Sequence, residues 1–214
     1  MHVVITGANR GIGRALHDRY TAQGHTVTGT ARAGGEFTEL DVMRPEQHRT
    51  LARSLDGQAV DLLICNAGIY PDKGQSLADG FSPETWAQTM ATNVTGVFLS
   101  IQALLPALQQ AGGGKIAIMS SRLGSQELAA GGSYAYRASK AAALNLGRNL
   151  AVDLQPLGIA VGIYHPGWVR TGMGGDAAEI GVDESADGLI REFAALNIER
   201  TGCFRTWDGR DLPF

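Results

Sequence analysis

Cysteine is nearly absent. Two thiols in 214 residues, Cys65 and Cys203, exclude a disulfide framework, and Cys65, closing the apolar run Leu62-Leu63-Ile64, is expected to be a buried thiol. An excess of positive charge is missing too. Eighteen lysines and arginines stand against 21 aspartates and glutamates, and a net charge of −3 leaves no footprint for nucleic acid and no polybasic patch for a membrane. No apolar run is expected to span a bilayer, and residues 1–6 begin directly as a strand, which points to a cytoplasmic location. Without a leader, the Asn93-Val94-Thr95 triplet is not read as a glycosylation acceptor. No metal site is expected. Internal repeats and linker-like stretches are also lacking, so residues 1–214 are read as one domain.

What the chain does have is glycine, 29 residues of it, gathered where strands turn into helices, and a 44% hydrophobic content ample for a core. Short apolar runs alternate with helical patterns throughout. Strands are expected at His2–Thr6, Thr26–Thr30, Thr38–Leu40, Asp61–Cys65, Lys115–Met119, Ile159–Tyr164 and Cys203–Trp207. Helices are expected at Ile12–Gln23, Glu46–Ser54, Glu84–Gln110 (as two helices meeting near Met90–Asn93), Ser133–Leu154 and Glu184–Leu196. This alternation predicts an α/β fold, a doubly wound Rossmann-type domain with a parallel seven-stranded sheet covered by helices on both faces. Between Thr30 and Leu40 only a short loop fits, and Thr171 to Glu184 reads as a small Gly-rich flap. The tail Leu212-Pro213-Phe214 is left to cover the site or an interface.

The first strand runs into Gly7-Ala8-Asn9-Arg10-Gly11-Ile12-Gly13. Glycines there let backbone amides approach a pyrophosphate at the N-terminus of the following helix. The spacing is neither the common G-x-G-x-x-G nor a P-loop; a turn needing glycine for geometry alone is the duller alternative. An NAD site usually carries an acidic residue some 20 positions further on. Here the second strand ends in Thr30-Ala31-Arg32 with no carboxylate. Arg32 and Arg10 suit a 2′-phosphate, so NADP(H) is expected in preference to NAD(H).

Tyr136 and Lys140 stand four apart on one predicted helix and share a face. A free phenol has a pKa near 10, and a neighbouring ammonium lowers it toward the range where protons exchange at neutral pH. Alone the pair is a weak signal, since five tyrosines and three lysines in 214 residues place one by chance roughly 7% of the time. Tyr134 is a rival, but four residues on it meets Ala138.

Four motifs in order carry a resemblance to the short-chain dehydrogenase/reductase family over essentially the whole chain. T-G-x-x-x-G-x-G falls on Thr6 to Gly13, N-A-G on Asn66-Ala67-Gly68, Y-x-x-x-K on Tyr136 to Lys140 and P-G-x-V-x-T on Pro166 to Thr171. Within the family the segments SSRLGS, YAYRASKAA and HPGWVRT resemble sniffer-type carbonyl reductases and C-factor-like proteins. The resemblance implies an oxidoreductase that moves a hydride between NADP(H) and a small-molecule carbonyl or alcohol. Tyr136 would be its acid or base, and Lys140 would bind the nicotinamide ribose and lower the tyrosine pKa. Ser121 would hold the substrate oxygen, with Ser120 as fallback, and the backbone carbonyl of Asn93 would hold a relay water. Asp41 and Val42 would flank adenine. Gly7, Asn9, Arg10, Gly11, Ile12, Gly13, Arg32, Asn66, Ala67, Gly68, Pro166, Gly167, Val169 and Thr171 would complete the cofactor site.

Singly, Ser121 could only cap a turn, Asn93 mark a helix break and Asp41 cap the helix near Pro45. The spacing from Ser121 to Tyr136 is slightly wider than is usual in the family. Tyr70, Leu123, Trp168 and Met173, from loops at strand C-terminal ends, are expected to line the substrate pocket. A homodimer or homotetramer is implied by resemblance. The alternative function is a dinucleotide-binding signalling or regulatory protein with little or no turnover.

Overall fold

The first strand, β1 (His2–Ile5), lies inside a sheet whose seven strands run in the order β3-β2-β1-β4-β5-β6-β7. The others are β2 (Thr26–Ala31), β3 (Thr38–Glu39), β4 (Leu62–Cys65), β5 (Lys115–Met119), β6 (Ala160–His165) and β7 (Cys203–Thr206). Every pairing is parallel. The computed structural model describes residues 1–78 and 80–214.

Six α-helices connect the strands: α1 (Gly11–Ala22), α2 (Pro45–Ser54), α3 (Pro83–Met90), α4 (Gly96–Gln110), α5 (Tyr134–Leu154) and α6 (Val182–Ala195). Because strand side chains alternate between faces, the continuous apolar runs feed two cores. Val4, Leu63, Ile116, Ile118, Val161 and Ile163 point to one, with α2, α4 and α5 residues such as Leu51, Leu104 and Leu144. Val3, Ile5, Leu62, Ile64, Ala117 and Tyr164 point to the other, with Leu16 of α1 and Phe193 of α6. The fold is thus the expected doubly wound one. No helix intervenes between β2 and β3, or between Val169 and Val182.

The two helices expected in Glu84–Gln110 meet near Met90–Asn93, where a π-helical turn, Ala91–Thr95, joins α3 to α4. Pro83–Gln110 therefore runs on for 28 residues, and its most apolar 18-residue stretch has a mean hydropathy of 1.4, by length and composition enough to cross a membrane, contrary to the expectation that no run is. Its apolar residues Val97, Ile101, Leu104 and Leu108 are buried in the first core, which accounts for that composition. The C-terminal tail covers the edge of β7: the Leu212 amide donates to the Phe204 carbonyl at 2.9 Å, and the Arg148 guanidinium lies 4.0 Å from the Phe214 ring centroid.

The strand order reverses between β1 and β4, the place where ligands bind in open α/β sheets. Asn66 stitches this point together: its side-chain amide donates to the carbonyls of Thr6 and Gly7, both at 3.0 Å. Gly13 sits against the same knot. A Cβ there would lie 2.2 Å from the Gly7 carbonyl oxygen and 2.5 Å from Asn66 Nδ2. Neither atom can retreat without breaking the stitch. Gly13→Ala is expected to cost about 3 kcal/mol and lower the melting temperature by roughly 6–12 °C; an unchanged melting curve would refute this account of the turn.

Candidate active site

The turn after β1 places Gly7 at φ 69° and Gly11 at φ 55°, left-handed conformations that favour glycine. α1 then starts with its N-terminus bare: Arg10 gives no side-chain cap, and its first turn carries no acid. The first amides of a helix have no intrahelical acceptor, so this end suits a pyrophosphate. Asn9, Arg10 and Arg32 are exposed around it. Neither arginine has an ion-pair or hydrogen-bond partner among the described residues, whereas Arg14 is tied to Asp18 at 2.8 Å and Glu36 at 2.6 Å. The uncapped helix N-terminus and exposed guanidiniums are groups that suit an anion. Thr171, from the loop after β6, reaches the same turn, since a Cβ on Gly11 would sit 3.4 Å from its Cγ2.

Asp41 and Val42 follow β3. The Asp41 side chain accepts from the Met43 amide at 3.0 Å, while Val42 is buried against the start of α4, where a Cβ on Gly96 would fall 2.7 Å away. The Asp41 carboxylate therefore shapes its own turn and does not cap α2, whose N-cap Arg44 makes no side-chain cap bond.

Gly68 passes close over the other end of the site, where a Cβ would meet Asn93 Oδ1 at 3.3 Å and Lys140 Nζ at 3.6 Å. Asn93 sits in the π turn, a geometry frequent at functional sites. Its Oδ1 accepts from the Ile69 amide at 2.9 Å, and its Nδ2 donates to the Ile69 carbonyl at 3.0 Å and Ser139 Oγ at 2.9 Å. With the side chain fully engaged in holding the loop to α5, only its backbone is left for a relay.

Tyr136 and Lys140 lie on the buried face of α5. The Lys140 ammonium is 5.7 Å from the Tyr136 ring centroid and donates to the Met119 carbonyl at 2.7 Å; burial lowers its pKa to about 8. Tyr136 is 7% exposed. Burial raises its pKa most, a hydrogen bond with Ser121 pulls it down, and Tyr70 and Asp72 raise it further. Ser121 also accepts from the Leu123 amide at 3.1 Å, so it caps the short turn Arg122–Gly124 while facing the phenol. The Ser120 hydroxyl is engaged elsewhere, donating to the Lys140 carbonyl at 2.9 Å. Tyr134 is 37% exposed and packs edge-on against Phe81, so its ring is occupied outside this cluster.

The four expected pocket residues do not gather on one wall. Tyr70 stacks directly on Tyr136, with centroids 3.9 Å apart and planes 16° off parallel. Trp168 and Met173, each 40% exposed, belong to the flap, where Trp168 Nε1 donates to the Gly174 carbonyl at 3.0 Å. Lys73 straps the loop after β4 to that flap through the carbonyls of Met173 and Gly174. Leu123 lines a cavity of about 180 Å³ beside Arg137, Ala138 and Ala141 of α5. Pro166, Gly167 (φ 91°) and the buried Val169 form the hinge between β6 and the flap, with Val169 bridged to Ile180.

Sequence reasoning overlooks Asp72 and Lys73; the only local signal there is the turn-like Pro71-Asp72 pair. It also passes over His165, buried at the end of β6 with Nδ1 lacking a partner. Burial first, then Arg122, lowers its pKa to about 4. The native state keeps this imidazole neutral while the unfolded chain protonates it below about pH 6.5. Acid therefore favours unfolding, and stability present above pH 6.5 should fall by about 3 kcal/mol as the pH drops to 4. Denaturant midpoints at neutral and acid pH should differ less in His165→Gln than in the wild type; equal differences would refute the assignment.

A family model described as short chain dehydrogenase matches residues 1–180. The C-signal of Myxococcus xanthus is 38% identical over 170 residues, spanning 78% of this chain and 99% of that protein. An NADPH-bound carbonyl reductase from chicken fatty liver superposes with a TM-score of 0.90 at 29% identity, over 100% of this chain and 98% of that one. The carbonyl reductase Sniffer of D. melanogaster gives a TM-score of 0.92 at 28% identity, over 100% and 99%.

Proposed function

This chain belongs to the short-chain dehydrogenase family, and from that membership we propose that it is an NADP(H)-dependent oxidoreductase interconverting a carbonyl and an alcohol. The observation that carries the reading is the convergence of Ser121, Tyr136 and Lys140 from β5 and α5 onto one buried phenol. The bare N-terminus of α1 and the Gly7–Gly13 turn fit the pyrophosphate of a dinucleotide, and the two free arginines fit a 2′-phosphate. When bound, the cofactor supplies the hydride.

The protein's own work is position and charge. As a carbonyl is reduced, negative charge grows on its oxygen. Ser121 donates a hydrogen bond to that oxygen, and Tyr136 donates a second and surrenders its proton. Lys140 would anchor the nicotinamide ribose and steady the phenolate left behind, and the Asn93 backbone carbonyl would hold a water that returns a proton through Lys140. Asp41 and Val42 would contact the adenine, and Asn66 to Gly68 and Pro166 to Thr171 would complete the cofactor site. Trp168 and Met173, half-exposed on the flap, suit apolar ketones, aldehydes or quinones.

The decisive experiment measures NADPH and NADH oxidation over a panel of carbonyl compounds. Turnover with NADPH and several apolar carbonyls is expected; no turnover with any would refute the reading. In the double variant Arg10→Ala, Arg32→Ala the KM for NADPH should rise about 100-fold, the worth of two charge-assisted contacts, while that for NADH stays near its wild-type value. Equal losses for both cofactors would remove the arginines from the 2′-phosphate site. A regulatory reading is prompted by the likeness to a protein named C-signal; it requires tight NADPH binding without turnover and full biological activity in Tyr136→Phe.

A further inference from the structure

Asp72, in the loop after β4, is fully buried. Its Oδ2 accepts from the amides of Ala135 at 2.9 Å and Tyr136 at 3.3 Å, the first turn of α5. The residue placed to cap that helix, Ser133, makes no side-chain cap bond. It stands instead at φ 48°, a left-handed conformation costly for a non-glycine residue, with its hydroxyl 2.5 Å from the Tyr70 hydroxyl. The loop thus grips the catalytic helix twice: Tyr70 stacks on Tyr136 and ties down Ser133, and Asp72 supplies the missing cap. A neutral cap would suffice for stability alone. A buried carboxylate is a costlier choice, and Asp72 Oδ1 has no hydrogen-bond partner among the described residues.

We propose that Asp72 is a positioning residue of the reaction centre, which sets Tyr136 through the first turn of α5 and holds its phenol in the protonated, donating form by a fixed negative charge. The proposal rests on the reading of Tyr136 as the proton donor. Around Tyr136 stand Ser121 from the end of β5, Lys140 from α5, and, from the loop after β4, Tyr70 stacked on the ring and Asp72 bonded to the Tyr136 amide. Lys140 favours the phenolate. Asp72 opposes it, and the direction of its effect on Tyr136 agrees. The balance biases the centre toward carbonyl reduction near neutral pH, with alcohol oxidation favoured only as the pH rises.

The test uses the full-length chain with NADP⁺ bound and compares Asp72→Asn with Asp72→Ala. Asn keeps an oxygen for the two amides and loses only the charge; Ala loses both. Tyrosinate absorbance is titrated in each protein against its Tyr136→Phe counterpart, which reads Tyr136 without requiring turnover. Tyr136 should titrate about one pH unit lower in Asp72→Asn, and the alkaline rise of alcohol oxidation should move by the same amount. The melting temperature should fall in Asp72→Ala more than in Asp72→Asn. A titration in Asp72→Asn that superposes on the wild type would overturn the proposal. An inactive wild type would instead overturn the oxidoreductase reading, and the titration would still decide whether Asp72 acts on Tyr136.

Discussion

Tyr136→Phe is expected to lower kcat for carbonyl reduction about 10³-fold, the usual worth of a positioned general acid, with NADPH affinity nearly unchanged. The substitution removes one oxygen and little else. The ring stays stacked on Tyr70, α5 keeps its cap from Asp72, and Ser121 keeps its bond from the Leu123 amide. The lost hydroxyl is the atom that hands over a proton when negative charge reaches the substrate oxygen, and Ser121 can stabilise that charge without neutralising it. The pH profile separates the two roles. Reduction by the wild type should fall at high pH, where the phenol deprotonates, and burial places that fall above the ordinary tyrosine range. In the Phe variant the residual rate should lose this alkaline limb. Steady-state kinetics across pH, beside a fluorescence titration of NADPH, checks both. A variant keeping most of its turnover would refute the mechanism, and a variant unable to bind NADPH would show that the hydroxyl supports the cofactor.

The parts of this site that the sequence exposes are those with a local signature. Tyr136 and Lys140 are one helical turn apart, Ser121 follows a clear apolar strand, and the glycine turn stands between a strand and a helix. The sheet was legible for the same reason: seven apolar runs correspond to seven strands, one of them, Lys115–Met119, with the same ends. What escaped is set by distance along the chain. Asp72 acts on α5 across 63 and 64 residues, and no period or turn rule connects an aspartate after proline with the N-terminus of a helix that remote. Tyr70 is expected as a substrate wall because it leaves a strand C-terminal end, yet nearness to Tyr136 and Ser133 turns it inward. The sequence places a junction of two helices near Met90–Asn93, which a break and a π turn satisfy alike. Only the fully bonded Asn93 side chain, pinning Ile69 and Ser139, explains why the chain widens there and does not stop.

Lys140→Met should have opposite effects on activity and on stability. An ammonium sealed among apolar neighbours is costly, and its lowered pKa measures that cost. In the unfolded chain the lysine titrates near its ordinary 10.5, in the native protein at about 8. Between these values the unfolded state holds more protons, so native stability rises with pH; below pH 8 both states are charged and the penalty is complete, about 3 kcal/mol. Methionine has a similar length and no charge, so the penalty disappears at neutral pH. The Met119 carbonyl then loses its donor, which takes back about 1–2 kcal/mol. A net gain of about 1–2 kcal/mol remains, or roughly 2–8 °C in melting temperature, and it should vanish by about pH 10.5, where the wild-type lysine is neutral in the native state and already half-neutral in the unfolded chain. Turnover should move the other way, falling about 10³-fold as the cation beside the phenol and the ribose anchor are lost together. Melting curves at pH 7 and above pH 10, with NADPH-linked rates at pH 7, test the pair of effects. A methionine variant less stable than the wild type at pH 7 would mean that Lys140 is held by more than the Met119 carbonyl. A more stable, inactive one would identify the ammonium as a charge the fold keeps at its own expense because the chemistry needs it.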